Sequence, residues 1–312
     1  MLRSEPWGEA RPDEMAVVFA AEAARWRGAL DWDTATLWPV LERARASAAL
    51  PGLVLRNASG GIVGWTYAAV REGELLCGAL SAPDAPGTRR LVDGLLALPD
   101  AAAVSRLVCF VYADAPEVES VLAARGFQLD PHHYLSRPLA LAPPAPRPGR
   151  AWDVRDVDAT ADLLRDSYPA VDPGRPFASH GRPDEWRRYV TDLVLGHGCG
   201  RFKPSLSIAV PGSGGTLDAV AIVTDLGVGT AHLAQLAVRR QLRGSGLGAD
   251  LLAGLAWAAA AAGFARLTLL VGGSNTTARR LYARAGFAPR ARFVSGTCAG
   301  GAREGRLSSP AA

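Results

Sequence analysis

The feature that most constrains this chain is that it repeats itself. The segment LAARGF ending at Phe127 matches YARAGF ending at Phe287, a shift of 160 positions (287 − 127). The same shift, without a gap, sets Leu91 on Leu251, Gly94 on Gly254, Leu95 on Leu255, Arg106 on Arg266, Leu107 on Leu267 and Val111 on Val271. One constant shift over roughly fifty residues implies two copies of one fold in tandem. Length agrees, because 312 residues at 49% hydrophobic content exceed one ordinary domain. Between the copies lies PLALAPPAPRPGR, Pro138 to Arg150, whose prolines exclude a helix or an inner strand and favour a stiff extended spacer. The expected organisation is a first domain over 1–140, a linker over 141–150, a second domain over 151–298 and a loose tail over 299–312.

Composition narrows the function. The 34 basic and 30 acidic residues are scattered, and a net charge of +4 without a basic block argues against nucleic acid or a membrane surface as partner. Lys203 is the only lysine, a bias typical of GC-rich bacterial coding. Cys77, Cys109, Cys199 and Cys298 stand isolated in the sequence and read as reduced thiols, with neither a disulfide framework nor a metal site. The opening MLRSEPWGEARPDEM has charges of both signs and no apolar core, so it is not a signal peptide. The longest uncharged run, Leu251 to Ala265, is too short to span a bilayer and is broken by Gly254 and Gly263. A cytoplasmic protein, monomer or homodimer, is expected.

In the second copy, Ser205–Val210 and Leu217–Leu226 read as strands around the turn PGSGGT, and Thr230–Val238 as another strand. Ala249–Ala262 is a helix apolar nearly all round and so expected to be buried. Arg266–Gly272 is a buried strand, Asn275–Ala285 a helix stopped by Gly286, and Phe287 opens a last β segment. Antiparallel strands followed by β-α-β-α-β give an α/β fold with a mixed, mostly antiparallel sheet flanked by helices. Between strand and helix lies RGSGLG, Arg243 to Gly248. Glycines there free backbone N–H groups at a helix N-terminus to face phosphate oxygens, and Arg243 adds positive charge at the rim.

Three phosphate binders compete for such a loop. A P-loop needs Gly-Lys-Ser/Thr, and the one lysine lies elsewhere. Gly244, Gly246 and Ala249 fit a dinucleotide fingerprint, but the acidic residue expected about twenty positions on is missing from RLTLLVGGSN. The third fits best. Arg243-x-x-Gly246-x-Gly248 resembles the [QR]-x-x-G-x-[GA] signature of the GNAT superfamily of N-acetyltransferases. Downstream, NTTARRLYARAGF (Asn275–Phe287) resembles that family's N-x-x-A-x-x-L-Y-x-x-x-G-F.

The resemblance covers about Asp153 to Gly296 and implies acetyl-CoA as cofactor and an amine of a small molecule or peptide as acceptor. It implies that Leu236, Ala237 and Val238 bind the pantetheine arm and the thioester carbonyl through backbone groups, as an oxyanion hole does. Arg243, Gly244, Ser245, Gly246, Leu247 and Gly248 would cradle the pyrophosphate, Asn275 would contact the pantetheine, and Tyr282 would protonate the departing thiolate. Two of these have plainer readings: Tyr282 as a half-buried core aromatic and Asn275 as an N-cap. The general base stays open between His232, Asp225 and a water relay.

Under the 160 shift the first copy has PDAPGT at the cradle, Leu122 for Tyr282 and Ala115 for Asn275. Proline has no N–H to offer an anion, so this copy is expected to fold but to be catalytically silent. A tandem with one degraded half resembles the mycothiol synthase branch. The irregular stretch Ser167–Phe202, with His180, Asp184, Glu185, Trp186, Tyr189 and His197, is the expected acceptor wall, or else a solvated loop and helix. The reading that competes with an enzyme is a non-catalytic acyl-CoA sensor or scaffold.

Overall fold

The computed structural model describes residues 2–301 except 141–147, 171, 173, 174, 176 and 196–198, so most of the linker, His197 and the tail from 302 lie outside the described residues. Two compact units emerge, Met1–Glu22 with Ala35–Pro131 and Arg292–Ala312, and Ala23–Thr34 with His132–Ala291. They are not the two contiguous halves that a boundary at the linker implies.

In chain order the first half forms β1 (Arg3–Pro6), α1 (Pro12–Leu30), α2 (Trp38–Ala46), β2 (Gly52–Arg56), β3 (Ile62–Arg71), β4 (Glu74–Ser81), α3 (Ala85–Leu96), α4 (Pro99–Ala103), β5 (Arg106–Tyr112), α5 (Val118–Ala124) and β6 (Gln128–Pro138). The second forms β7 (Arg150–Ala151), α6 (Val157–Ser167), α7 (Pro183–Val194), β8 (Arg201–Phe202), β9 (Ile208–Pro211), β10 (Leu217–Asp225), β11 (Thr230–Val238), α8 (Leu247–Ala261), β12 (Arg266–Gly272), α9 (Thr276–Arg284) and β13 (Ala288–Ala299). The expected strands and helices of the second copy agree with these to within a few residues, and β5 and β12 differ by the shift of 160 at both ends.

The closing strands explain the interleaving. In the first unit, Phe293–Ala299 of β13 pairs antiparallel with Tyr112–Arg106 of β5. In the second, His132–Pro138 of β6 pairs antiparallel with Gly272–Arg266 of β12. Each copy thus ends on a strand that completes the other unit's sheet. Both strands are buried on both faces near their C-terminal ends, Tyr134–Ser136 in β6 and Phe293–Cys298 in β13, and such a run marks a covered strand without saying which neighbour it pairs with. The second unit also recruits the end of α1. Tyr134 donates to the Leu30 carbonyl at 2.8 Å, the Asp33 N–H reaches the Leu226 carbonyl at 2.8 Å, and Arg290 binds the Ala29 carbonyl and Asp31.

In one core of the first unit Leu55, Leu75, Leu91, Leu107, Leu122 and Val294 meet, while Trp7, Phe19 and Trp65 are buried together outside it. Cys77 and Cys109, distant in sequence, are register partners on β4 and β5 in that core, and Cys298 is buried with them. The second unit has a core on each face of its sheet. One packs β10–β12 against α8 and α9 through Leu233, Leu251, Leu255, Leu269 and Phe287. The other packs the sheet against α6 and α7 through Leu164, Trp186, Val190, Val220 and Ala237. Helix α8 is not buried all round as its composition suggests, because Ala249, Ala253 and Ala261 are exposed. Alanine leaves too little apolar surface for its exposure to cost much, so composition overstated the burial.

Candidate functional site

The site begins with a break in the second unit's sheet. β11 runs parallel to β12 only from Thr230–Leu233, against Arg266–Leu269, and beyond Leu233 no ladder joins them. On its other side β11 stays paired with β10 up to Val238, across a shift in register at Ile222/Val223 that leaves Ala234 as an extra residue. A bulge of this kind bends a strand and reverses which face successive side chains occupy. Ala231 and Leu233 face the α8/α9 core; past the bulge Leu236 and Val238 do so, while Ala234 and Ala237 face α6 and α7. The edge of Leu236, Ala237 and Val238 that looks toward β12 therefore offers backbone groups without a strand partner.

The glycine loop follows directly. Gly244 at φ +84° and Gly246 at φ +96° lie in the left-handed region, and a Cβ on either would meet nothing within 4 Å. Glycine is required there by backbone conformation, and the approach from outside is open. Gly248 stands in the first turn of α8, with space for a Cβ beside Leu281 and Val238. Among the described residues no protein acceptor takes the N–H of Gly244, Gly246 or Gly248, and these donors cluster at a helix N-terminus with its partial positive charge. Ser245 does not face outward freely: its hydroxyl donates to the Leu242 carbonyl at 2.8 Å and lies 3.4 Å from the Leu247 N–H. Arg243 donates to the Val238 carbonyl at 3.1 Å and the Ser167 carbonyl at 3.3 Å. Its guanidinium thus fastens the loop to β11 and α6, and the charge remains at the rim.

On the other side of the break, Asn275 caps α9, its side chain accepting from the Ala278 N–H at 3.0 Å. Tyr282 has its ring buried, edge-on to Phe287 at 5.8 Å, and its hydroxyl makes no hydrogen bond among the described residues. Burial first, and the nearby Tyr168 phenol second, push its pKa above the ordinary phenol value, so it is held as the neutral O–H donor.

Both side chains named as candidate bases sit elsewhere. His232 is buried between Trp32 and Tyr134, with Nδ1 3.0 Å from the Thr268 hydroxyl, and burial lowers its pKa to about 4. Asp225 ends β10 in an ion pair with Arg201 at 3.3 Å and accepts from the Gly227 N–H at 2.9 Å. Their chemistry suggested bases, but one lies in the core and the other is occupied with its turn.

On the α6/α7 side of the break, Trp186 and Tyr189 of the irregular stretch meet residues that sequence reasoning passed over, Gln235, Tyr168, Phe177 and Arg175. Gln235, buried on β11, accepts from the Tyr168 hydroxyl at 2.9 Å and donates to the Tyr189 hydroxyl. Trp186 and Phe177 join these tyrosines in one aromatic wall, and the guanidinium of the buried Arg175 lies 4.8 Å from the Trp186 ring centre. The available signal was Gln235 as a polar residue inside the apolar run LAQLAV. Tyr168, Phe177, Trp186 and Tyr189 thus pack as one cluster around α7, and Asp184 pairs with Arg182 and Arg188 at its exposed edge.

The first copy lacks this arrangement for a reason that the 160 shift concealed. Thr230 is register partner of Arg266, thirty-six residues on, whereas Glu74 is partner of Arg106, only thirty-two residues on. Four residues are therefore missing between strand and strand, and only Ala82–Asp84 separate β4 from α3. The Asp84 carboxylate itself caps α3, accepting from the Gly87 N–H at 2.7 Å, so a negative charge of the protein stands where an anion would otherwise be held.

Comparison with known proteins agrees with this geometry. No curated protein matches the sequence. Among solved structures the fold is shared with a GCN5-related N-acetyltransferase from Sphaerobacter thermophilus, 18% identical, covering 96% of this chain and 95% of that one with a TM-score of 0.64. It is shared too with a tandem GNAT protein from the clavulanic acid biosynthesis pathway, 18% identical over 97% of this chain and 100% of that one, TM-score 0.63. A GNAT-family acetyltransferase from Colwellia psychrerythraea, 14% identical, covers 95% and 99% with a TM-score of 0.54. No helix among the described residues is long and apolar enough to cross a membrane. Residues 158–287 match the acetyltransferase (GNAT) family model, and with the split strands, glycine loop and capped helix that they contain, they form a domain of that family.

Proposed function

We propose that the second unit is an acetyl-CoA-dependent N-acetyltransferase acting on a primary amine of a small molecule or peptide by direct attack, and that the first unit is catalytically silent. The observation that carries this reading is the loss of pairing between β11 and β12 beyond Leu233, with three free N–H donors in the loop that follows. A pantetheine arm is a chain of amides and would replace the missing strand, while its pyrophosphate would sit at the start of α8. The N–H groups of Leu236–Val238 would polarise the thioester carbonyl. The amine electron pair forms the N–C bond, the C–S bond breaks with its electrons leaving on sulfur, and Tyr282 gives that thiolate its proton. The amine sheds a proton before attack and another after it, so the cycle releases one proton net once Tyr282 is reprotonated from solvent.

The test is thermal stabilisation by acetyl-CoA compared with NAD, followed by release of free CoA thiol with a panel of amines. A ligand held only by the folded state at a hundred times its Kd adds about 2.7 kcal/mol, a shift of several degrees. Stabilisation by NAD and not by acetyl-CoA overturns the reading.

A further inference from the structure

The site described so far lacks a group to remove the proton from an ammonium acceptor. A carboxylate–imidazole pair in the loop before α7 supplies one. His180 Nδ1 lies 2.8 Å from Glu185 Oε1 and 3.3 Å from the Ser179 hydroxyl. Glu185 Oε2 accepts from the backbone N–H groups of His180 at 3.1 Å and Arg182 at 3.3 Å, and the Arg182 guanidinium reaches Oε1 at 2.9 Å. The exposures differ sharply, at 5% for the Glu185 side chain and 55% for that of His180. Capping α7 accounts for the backbone bonds of Glu185 but not for its bond to the ring. A buried carboxylate that takes the Nδ1 hydrogen fixes the tautomer and leaves the Nε2 lone pair on the exposed edge, the arrangement of a base held by an orienting acid.

The loop is anchored at the break in the sheet. Tyr168 and Tyr189 both bond to Gln235, and Phe177 stacks on Tyr189 at 4.1 Å between ring centres. Arg175 ties the Pro169 carbonyl to those of Phe177 and Ala178. Gly181, at φ +72°, packs so closely on the Ala170 carbonyl oxygen that no Cβ would fit there. His180 is therefore held between a stretch pinned to β11 and a helix whose Tyr189 meets the same glutamine.

We infer that His180, oriented by Glu185, is the base that takes the first proton from the acceptor amine, an inference that rests on the acetyltransferase reading above. S-bromoacetyl-CoA tests it without knowledge of the natural acceptor, because it places an electrophilic carbon beside the carbonyl that the amine attacks. His180 Nε2 displaces bromide, forming a C–N bond as C–Br breaks, and the carboxymethyl-type adduct is located by peptide mass spectrometry. Labelling at His180 that saturating acetyl-CoA suppresses is the expected result. Stabilisation of the fold by the reagent without labelling of His180 overturns this inference alone; no stabilisation by any CoA ester overturns the acetyltransferase reading with it. A kinetic arm uses hydroxylamine, uncharged at neutral pH, and 2-phenylethylamine, which is protonated. H180Q is expected to lose about 100-fold or more in transfer to the ammonium acceptor and little in transfer to hydroxylamine. An equal loss with both acceptors assigns His180 a purely structural role and sinks the proposal.

Discussion

Ending the chain after Ala291 removes from the first unit a strand that the linker alone would assign to the second. The segment Phe293–Ala299 makes seven register pairs with β5, and Phe293, Val294 and Cys298 are buried. Phe293 also stacks on Phe110 at 5.7 Å and Tyr112 at 5.3 Å. At about 1.5–3 kcal/mol for a large apolar side chain returned to water, and less for cysteine, the three together cost about 4–7 kcal/mol. A domain's whole stability is only about 5–15 kcal/mol, and β5 would further become an unpaired edge strand. The truncated chain is therefore expected to lose the folded first unit while keeping the second, whose strands and β6 are intact. Hydrogen exchange read by mass spectrometry should show Arg106–Tyr112 going from protected to rapidly exchanging, with Arg266–Gly272 unchanged. Unaltered protection of Arg106–Tyr112 would refute the assignment of β13 to that sheet.

Other consequences are sharper at single residues. Tyr282→Phe should lower turnover by about 100-fold or more while leaving acetyl-CoA binding in place, a split that a sensor without turnover would not show; kinetics beside a binding titration measure it. Gly246→Ala forces an L side chain into φ +96° and should cost about 1–2 kcal/mol by chemical denaturation, with weaker acetyl-CoA binding. His232 is neutral in the fold down to about pH 4 but takes a proton near 6.5 when unfolded, so the unfolded state binds more protons between those values. Its contribution is complete above pH 6.5 and falls away toward pH 4, by at most about 3 kcal/mol. His232→Phe should therefore flatten the fall of Tm over that window relative to the parent chain. Asn275→Ala removes the cap of α9 and should cost about 1 kcal/mol of stability.

What the sequence determined is what local physics writes into neighbouring residues. The 160 shift gave the repeat, the period of apolar residues gave β10–β12 and α8–α9, and Gly244 and Gly246 marked a turn that only glycine can make. Asn275 announced a helix start because its side chain answers a backbone N–H three residues on. What the tertiary structure alone decided are choices among partners. Buried runs cannot say that β6 closes the second unit and β13 the first, since either run suits any sheet that offers an edge. The extra residue at Ala234 is invisible in TAHLAQLAV, yet it turns Gln235 toward Tyr168 and Tyr189. His232 and Asp225 had the right chemistry for a base, but burial and an ion pair are properties of position. His180 and Glu185, five residues apart in an irregular stretch, became a pair only when the loop folded back on Ala170.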